Sequence, residues 1–392
     1  MRHAEDDLAR HVPRLLAAWR RLRGGSRPRG ARPPPDRLAP DELRDVAGGV
    51  ERLSLGLTRD RALAGAHYMD DPRLLGAYLL FYWPISYLQA RGVFSELPRA
   101  PGAVLDLGSG PAPVAFAALD AGSSEAAAAD RSSRALALAR DLARDAGAVL
   151  ATRPWDPARP AALREAAAGR TYDTITFGHV LNELFAGAGA AERRAKLLDE
   201  AAGLVRPGGS LVVIEPALRE TSRALLQVRD LLVGRGFAVR APCLFQGACP
   251  ALLRESDWCH AERPIAPPPV VAEIARAAGL RKEAVKMSYL VLAPRGEGWA
   301  APPAGRAFRI VSEPLPSKGR LRYMACGPEG RLGVSLQEKH VTDANRAFER
   351  LLRGDVVELS EVEPRGDGLR LGAASSVRVV AAAGSPLPRE GA

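Results

Sequence analysis

The stretch AVLDLGSGPAPVAFAALDAG, residues 103–122, decides the fold. It opens with an apolar run, turns through glycine and proline, and continues as alanine-rich sequence. That order is a strand, a tight loop and a helix. Asp106 closes the strand, while Gly108 and Gly110 let the backbone turn and approach a ligand with no Cβ in the way. A polar ligand is therefore expected at the loop. A dinucleotide fingerprint would place a third glycine where Pro113 stands, and a phosphate loop would need Gly-Lys-Ser/Thr, which is absent.

Working outward, EAAAAD (125–130) is a weak strand ending in an acid, and RSSRALALARDLARDAG after it is an amphipathic helix. AVLATR (148–153), YDTITFGHV (172–180), GSLVVIEP (209–216), FAVRAP (237–242) and VKMSYLVLAP (285–294) are further short, mostly apolar runs with helical segments between them. Strands alternating with helices predict an α/β fold, a parallel sheet covered on both faces, over residues 99–298. Residues 41–98 read as a helical lead-in. Its most apolar part, LLGAYLLFYWPISYL (74–88), is shorter than the ~20 residues a bilayer needs and is interrupted by Pro84, so it predicts a buried, kinked helix. Beyond residue 299, FRIVSEPL, GRLRYMAC and RLGVSLQE, joined by PSKG and GPEG turns, predict a small β-rich domain to residue 375 with a disordered tail, 376–392.

The net charge of +10 is unevenly spread, with ten Arg and four acids in residues 1–40. This Arg/Pro-rich leader, SRPRGARPPPDR above all, is expected to be a disordered arm suited to the phosphates of RNA or DNA. No basic region followed by an apolar one opens the sequence, so a cytoplasmic protein with no membrane partner is expected, monomeric by assumption.

The fourth strand ends in FGHVLNEL (177–184), which brings His179, Asn182 and Glu183 to the edge of the sheet where α/β ligands sit. His179 and Asn182 are candidate catalytic residues, His179 as a general base; both could equally cap the following helix. Three of the four cysteines fall in CLFQGACPALLRESDWCH (243–260), an insertion between two late strands, and Cys326 ends a strand of the β-rich domain. Disulfides do not suit a cytoplasmic protein, and four thiolates fit either a tetrahedral zinc site or an iron-sulfur cluster; the wide spacing favours the cluster.

The form D-x-G-x-G-P resembles the first motif of the seven-stranded, Rossmann-like S-adenosylmethionine-dependent methyltransferases. The resemblance implies cofactor contacts from Asp106, Gly108, Ser109 and Gly110, ribose contacts from Asp130, and an Asp156 near the adenine. The chain lacks both the Asn/Asp-Pro-Pro-aromatic motif of adenine amino-methylating enzymes and the nucleophilic cysteine of cytosine carbon-5 enzymes. Together, DLGSGP, HVLNEL, the IEP strand end, C-x5-C-P, DWCH and the later lone cysteine resemble the methyltransferase-like proteins of small-ribosomal-subunit assembly, bacterial and mitochondrial, over roughly residues 50–355. That resemblance implies a [4Fe-4S] cluster on Cys243, Cys249, Cys259 and Cys326. It also implies the small ribosomal subunit and its rRNA as partner. Two functions follow from it: methyl transfer to rRNA, or a catalytically inactive assembly factor that uses the fold as an RNA-binding platform.

Overall fold

Residues 1–24, 35–159, 161–297 and 305–387 are described by the structure, a computed structural model. The chain begins with α1 (Arg2–Leu22), α2 (Pro40–Ser54), α3 (Pro72–Ala77) and α4 (Trp83–Phe94). The expectation of a disordered arm is corrected for residues 2–22. Leu8, Val12, Leu15, Leu16 and Trp19 recur at three- and four-residue steps and are buried, so the abundance of arginine hid an apolar stripe. Residues 25–34, the proline-rich part of that arm, lie outside the described residues. The apolar run between α3 and α4 passes through a π-helical turn, Tyr78–Tyr82, directly before Pro84, which has no N–H to continue a regular ladder. Residues 60–71 depart from the expected helix: apart from a 3-10 turn, Tyr68–Asp70, they form an irregular strap between α2 and α3.

The main sheet contains β1 (Ala103–Leu107), β2 (Glu125–Asp130), β3 (Leu150–Pro154), β4 (Tyr172–Gly178), β5 (Val205–Pro216), β6 (Ala238–Ala241), β7 (Ala261–Pro264) and β8 (Ala284–Ala293). Its order is β3-β2-β1-β4-β5-β8-β6, with β7 paired to β8 off this path. The first five strands are parallel, and β8 runs antiparallel to β5, β6 and β7. The helices α5 (Pro113–Asp120), α6 (Ser133–Ala146), α7 (Ala162–Ala167), α8 (Ala190–Ala202), α9 (Arg219–Gly234) and α10 (Pro269–Ala277) connect them. All five residues of β1 are buried, as a strand covered on both faces requires. In β2, Ala126 and Ala128 join one core cluster and Ala127 and Ala129 another, because alternate side chains face opposite layers. The seven expected strands thus gain an eighth, β7, formed by the residues directly after the cysteine window.

A second sheet of six strands follows, ordered β10-β11-β12-β14-β13-β9. Its members are β9 (Ala307–Ile310), β10 (Leu315–Ser317), β11 (Arg320–Gly327), β12 (Gly330–Gln337), β13 (Val356–Arg365) and β14 (Gly368–Ala381). It is antiparallel except for the β12–β14 pair. The tail expected to be disordered from residue 376 is corrected as well: β14 continues to Ala381, pairing Val377 with Leu359 and Val379 with Val357. The domain boundary at 298/299 and residues 388–392 lie outside the described residues.

Candidate functional site

Strands β1 to β5 deliver their ends to one edge, and there a cavity of about 460 Å³ opens. Gly108 and Gly110, in the loop between β1 and α5, line it with positive φ angles of 70° and 52°. A Cβ on Gly108 would lie 2.4 Å from Val180 Cγ2, so only glycine lets this loop pass the turn after β4. Asp130, at the end of β2, accepts from Gly110 N–H at 2.8 Å through one carboxylate oxygen and from Ser132 N–H at 2.8 Å through the other. It is both a cavity wall and the clasp of the glycine loop. Burial raises its pKa, against those backbone hydrogen bonds.

Trp155 and Asp156, after β3, line the same cavity, and the buried Trp155 indole N–H has no partner among the described residues. Asp106 and Ser109 are buried and are not among the residues that line the cavity. Asp106 is fully buried, accepting from Thr176 Oγ at 2.7 Å and from Ala115 N–H at 3.2 Å, and burial pushes its pKa up to about 7. It therefore ties β1 to β4 and α5 rather than facing a ligand.

His179 lines the cavity from the turn after β4. Gln89 of α4 donates its amide N–H to Lys286 O at 2.8 Å, which leaves its oxygen to accept from His179 Nε2–H at 2.7 Å. That hydrogen bond selects the tautomer whose lone pair sits on Nδ1. Burial first, then the charge of Lys282, lowers the His179 pKa to about 4, so the ring is neutral at physiological pH. Asn182, the other catalytic candidate, is consumed by structure: its amide donates to His179 O at 3.0 Å and its carbonyl accepts from Arg61 at 2.6 Å. It closes the turn and ties down the strap, and does not cap α8.

The strap, residues 60–71, covers the cavity and is held by groups that sequence reasoning mostly missed. Glu183 accepts from Gly65 N–H at 3.2 Å, Arg131 donates to Gly65 O and Ala66 O, and Ser132 donates to Asp70 at 2.7 Å. Burial raises the Glu183 pKa to about 7. Gln89, Lys282 and Lys286 also line the cavity and were not anticipated. The two lysines did leave a signal, since they are two of the chain's five lysines, in RKEAVK, among 55 basic residues.

Beneath this turn, Glu215 of β5 is fully buried, accepts from Asn182 N–H at 3.2 Å, and has its second oxygen unpartnered among the described residues. Burial, opposed by the Asn182 hydrogen bonds, raises its pKa to about 8. An unfolded glutamate releases its proton near 4.5, so between these values the folded chain holds a proton that the unfolded chain has lost. Stability from this group is therefore complete at low pH and declines as pH rises through about 8. Glu215→Gln should flatten the fall in melting temperature between about pH 5 and about pH 8. Parallel melting curves of the two proteins over that range would contradict the assignment.

The four cysteines, scattered over 84 positions, do converge: all four line a second, apolar cavity of about 60 Å³ between the cysteine window and the second sheet. The window is held by α9, whose Arg223 donates to Ala251 O, Arg254 O and Asp257 O and whose Arg229 donates to Phe245 O. Burial pushes the Cys249 thiol up to about 12 and raises those of Cys259 and Cys326. Around the cavity, buried N–H donors of Arg263, Arg309 and Arg331 lack acceptors and the buried His260 Nδ1 lacks a partner among the described residues. Among the described residues, no group of three or more His, Cys, Asp or Glu side chains is set to hold a metal ion. Nor, among them, is any helix long and apolar enough to cross a membrane.

Comparison with known proteins gives one family. The model of the mitochondrial small ribosomal subunit protein Rsm22 family matches residues 82–358. None of the curated proteins compared matches the chain. Among solved structures, an O-methyltransferase family protein from Burkholderia thailandensis is similar with a TM-score of 0.38 and 15% identity, over 66% of this chain and 74% of its own. TrmN from Thermus thermophilus is similar with a TM-score of 0.33 and 20% identity, over 55% and 53%. A ribosomal protein L11 methylase from Lactobacillus delbrueckii subsp. bulgaricus is similar with a TM-score of 0.32 and 14% identity, over 54% and 78%.

Proposed function

Because the chain belongs to the Rsm22 family of the mitochondrial small ribosomal subunit, we propose that it binds S-adenosylmethionine at the carboxyl edge of its main sheet and methylates RNA of the small ribosomal subunit. The observation that carries this reading is the cavity itself. Its walls combine a glycine loop with no Cβ, the carboxylates of Asp130 and Asp156, and an indole N–H of Trp155 without a partner among the described residues. Bound there, the cofactor would supply an electrophilic methyl group for an in-line displacement.

The rest is the work of this chain's residues. Each oxygen of Asp130 uses one lone pair on a backbone N–H and keeps another to accept from a ribose hydroxyl. Trp155 Nε1–H is left to donate to the ligand. The strap excludes water, which strengthens every polar contact inside. His179, neutral and fixed by Gln89, offers Nδ1 to take a proton from the acceptor. Alignment of acceptor and methyl group accounts for most of such a rate, so one weak base is enough.

The second cavity is read as the site of a structural [4Fe-4S] cluster on Cys243, Cys249, Cys259 and Cys326. A single zinc ion on the same four thiols is the alternative occupant. A cubane spreads its thiolates farther apart and is anionic, which suits a cavity ringed by Arg N–H donors without acceptors among the described residues. The neutral thiols would lose their protons on assembly, and a ligand set drawn from the window and β11 would join the two sheets.

The test is calorimetric binding of S-adenosylmethionine to the full chain purified without oxygen, followed by transfer of tritiated methyl to immature small-subunit particles, with iron measured on the same sample. Binding, labelled RNA and about four irons per chain are expected. No cofactor binding would overturn the reading. Binding without label would leave an assembly factor that uses the fold as an RNA platform, and an iron-free sample would remove the cluster.

A further inference from the structure

We propose that Lys282 and Lys286 form an oxyanion site that holds a phosphate group of the acceptor RNA at the end of the main cavity remote from the cofactor. This rests on the cofactor reading above. The two ammonium groups are positioning groups for the acceptor.

Topology places them. Lys286 lies in β8 and Lys282 just before it, and β8 is antiparallel to β5, with Pro216 opposite Met287. The start of β8 therefore meets the edge where the parallel strands end. Along that edge the order is Asp156 after β3, Asp130 on β2, the glycine loop after β1, His179 after β4, Pro216 on β5, then the lysines. Three strand spacings, about 14 Å, separate β1 from β8. Asp130, Asp156 and the Trp155 indole, which the cofactor would meet, stand on the opposite side of β1, so the lysines stand on the acceptor's side.

Charge identifies what they bind. Lys286 is paired with Glu262 at 3.0 Å, whereas Lys282, half-buried in the cavity wall, has no carboxylate partner among the described residues. Burial and the neighbouring Lys286 both disfavour its charged form. An ammonium partly withdrawn from water beside a second one is costly unless an anion arrives to offset it. Next to it His179 is neutral, so the positive charge at this end belongs to the lysines. Lysine is a compact point charge on a flexible stem, suited to a phosphate oxygen whose position is set by the rest of the RNA. The carboxylate of the cofactor's methionine part shares this oxyanion chemistry and is the other possible occupant.

The experiment measures, for the full chain, the affinity of a fluorescein-labelled single-stranded RNA of about 12 nucleotides over a salt series, and separately the affinity of S-adenosylmethionine. Both are repeated for Lys282→Gln and Lys282→Arg. The expected result is an RNA affinity about 5- to 10-fold weaker in Lys282→Gln and a salt slope shallower by about 0.7. Lys282→Arg should stay near wild type, and cofactor affinity should hold within about twofold in both. Wild-type RNA binding with no change in Lys282→Gln overturns the site. A loss confined to S-adenosylmethionine also overturns it, assigning Lys282 to the cofactor's carboxylate. A wild-type chain that binds cofactor but no RNA overturns both this site and the RNA function, a result separable from the other two.

Discussion

Replacing Glu96 with alanine is expected to destabilise the folded chain by about 3–5 kcal/mol. Glu96 follows α4 and is buried where three parts of the molecule meet. One oxygen accepts from Arg263 of β7 at 2.9 Å and from Tyr289 of β8 at 2.7 Å, and the other lies 3.4 Å from Arg309 of β9. Both guanidinium groups are buried themselves, and both already carry N–H atoms without acceptors among the described residues. Removing the carboxylate would leave two buried cations facing each other with no counter-charge. The cost is that of uncompensated charge, which exceeds what the ion pairs contribute as pairs. Because Arg309 belongs to the second sheet and Arg263 to the strand that follows the cysteine window, the loss should appear first as separation of residues 305–387 from the rest. Limited proteolysis should release that part before the main sheet unfolds, and the urea midpoint should fall. Glu96→Gln, which can still accept from Arg263, should lose less. A loss below about 1 kcal/mol for Glu96→Ala would mean that water entering the space, or Arg309 moving out to solvent, relieves the two cations without a counter-charge.

What could be read from sequence follows from where each signal is local. The strand, glycine loop and helix at 103–120 lie within one short stretch, so their order alone was enough to place the fold and the edge where the cavity opens. The cysteines were legible as a cluster because their scarcity makes their spacing informative, although 66 residues separate Cys259 from Cys326. The strap could not be read. Its conformation depends on Glu183, Arg131 and Asn182, partners 65 to 121 residues away, and its local pattern continues the helical one on either side. The hydrogen-bond partners of Asp106 and Asn182 could not be read for a related reason. A polar residue at a strand end faces either the ligand or its neighbours, and only the register of β1 against β4, with Asp106 opposite Thr176, decides. Lys282 needed the antiparallel turn of β8 to reach the edge at all.

Gly108→Ala tests the cradle directly, and its cofactor affinity is expected to fall about 30- to 100-fold, or about 2–3 kcal/mol. Two costs combine. At φ of 70° an alanine incurs the left-handed backbone penalty, about 1 kcal/mol. The new Cβ would also stand 2.4 Å from Val180 Cγ2 and 2.5 Å from Val180 Cβ, distances that no rotamer change relieves because the second atom is itself a Cβ. Either the glycine loop lifts into the cavity or Val180 withdraws and drags the His179 turn, and both distort the binding surface. Gly147→Ala isolates the first cost: Gly147 has φ of 64° with nothing within 4 Å of a Cβ, and it ends α6 away from the cavity. That variant should lose about 1 kcal/mol of stability and no cofactor affinity. Val180→Ala added to Gly108→Ala should recover only part of the loss, because truncation removes the two γ-carbons and leaves the Cβ of that position where it stands. Cofactor affinity within about threefold of wild type in Gly108→Ala would show that the loop yields more easily than its packing implies. The close pass between the β1 and β4 turns would then not be what shapes this site.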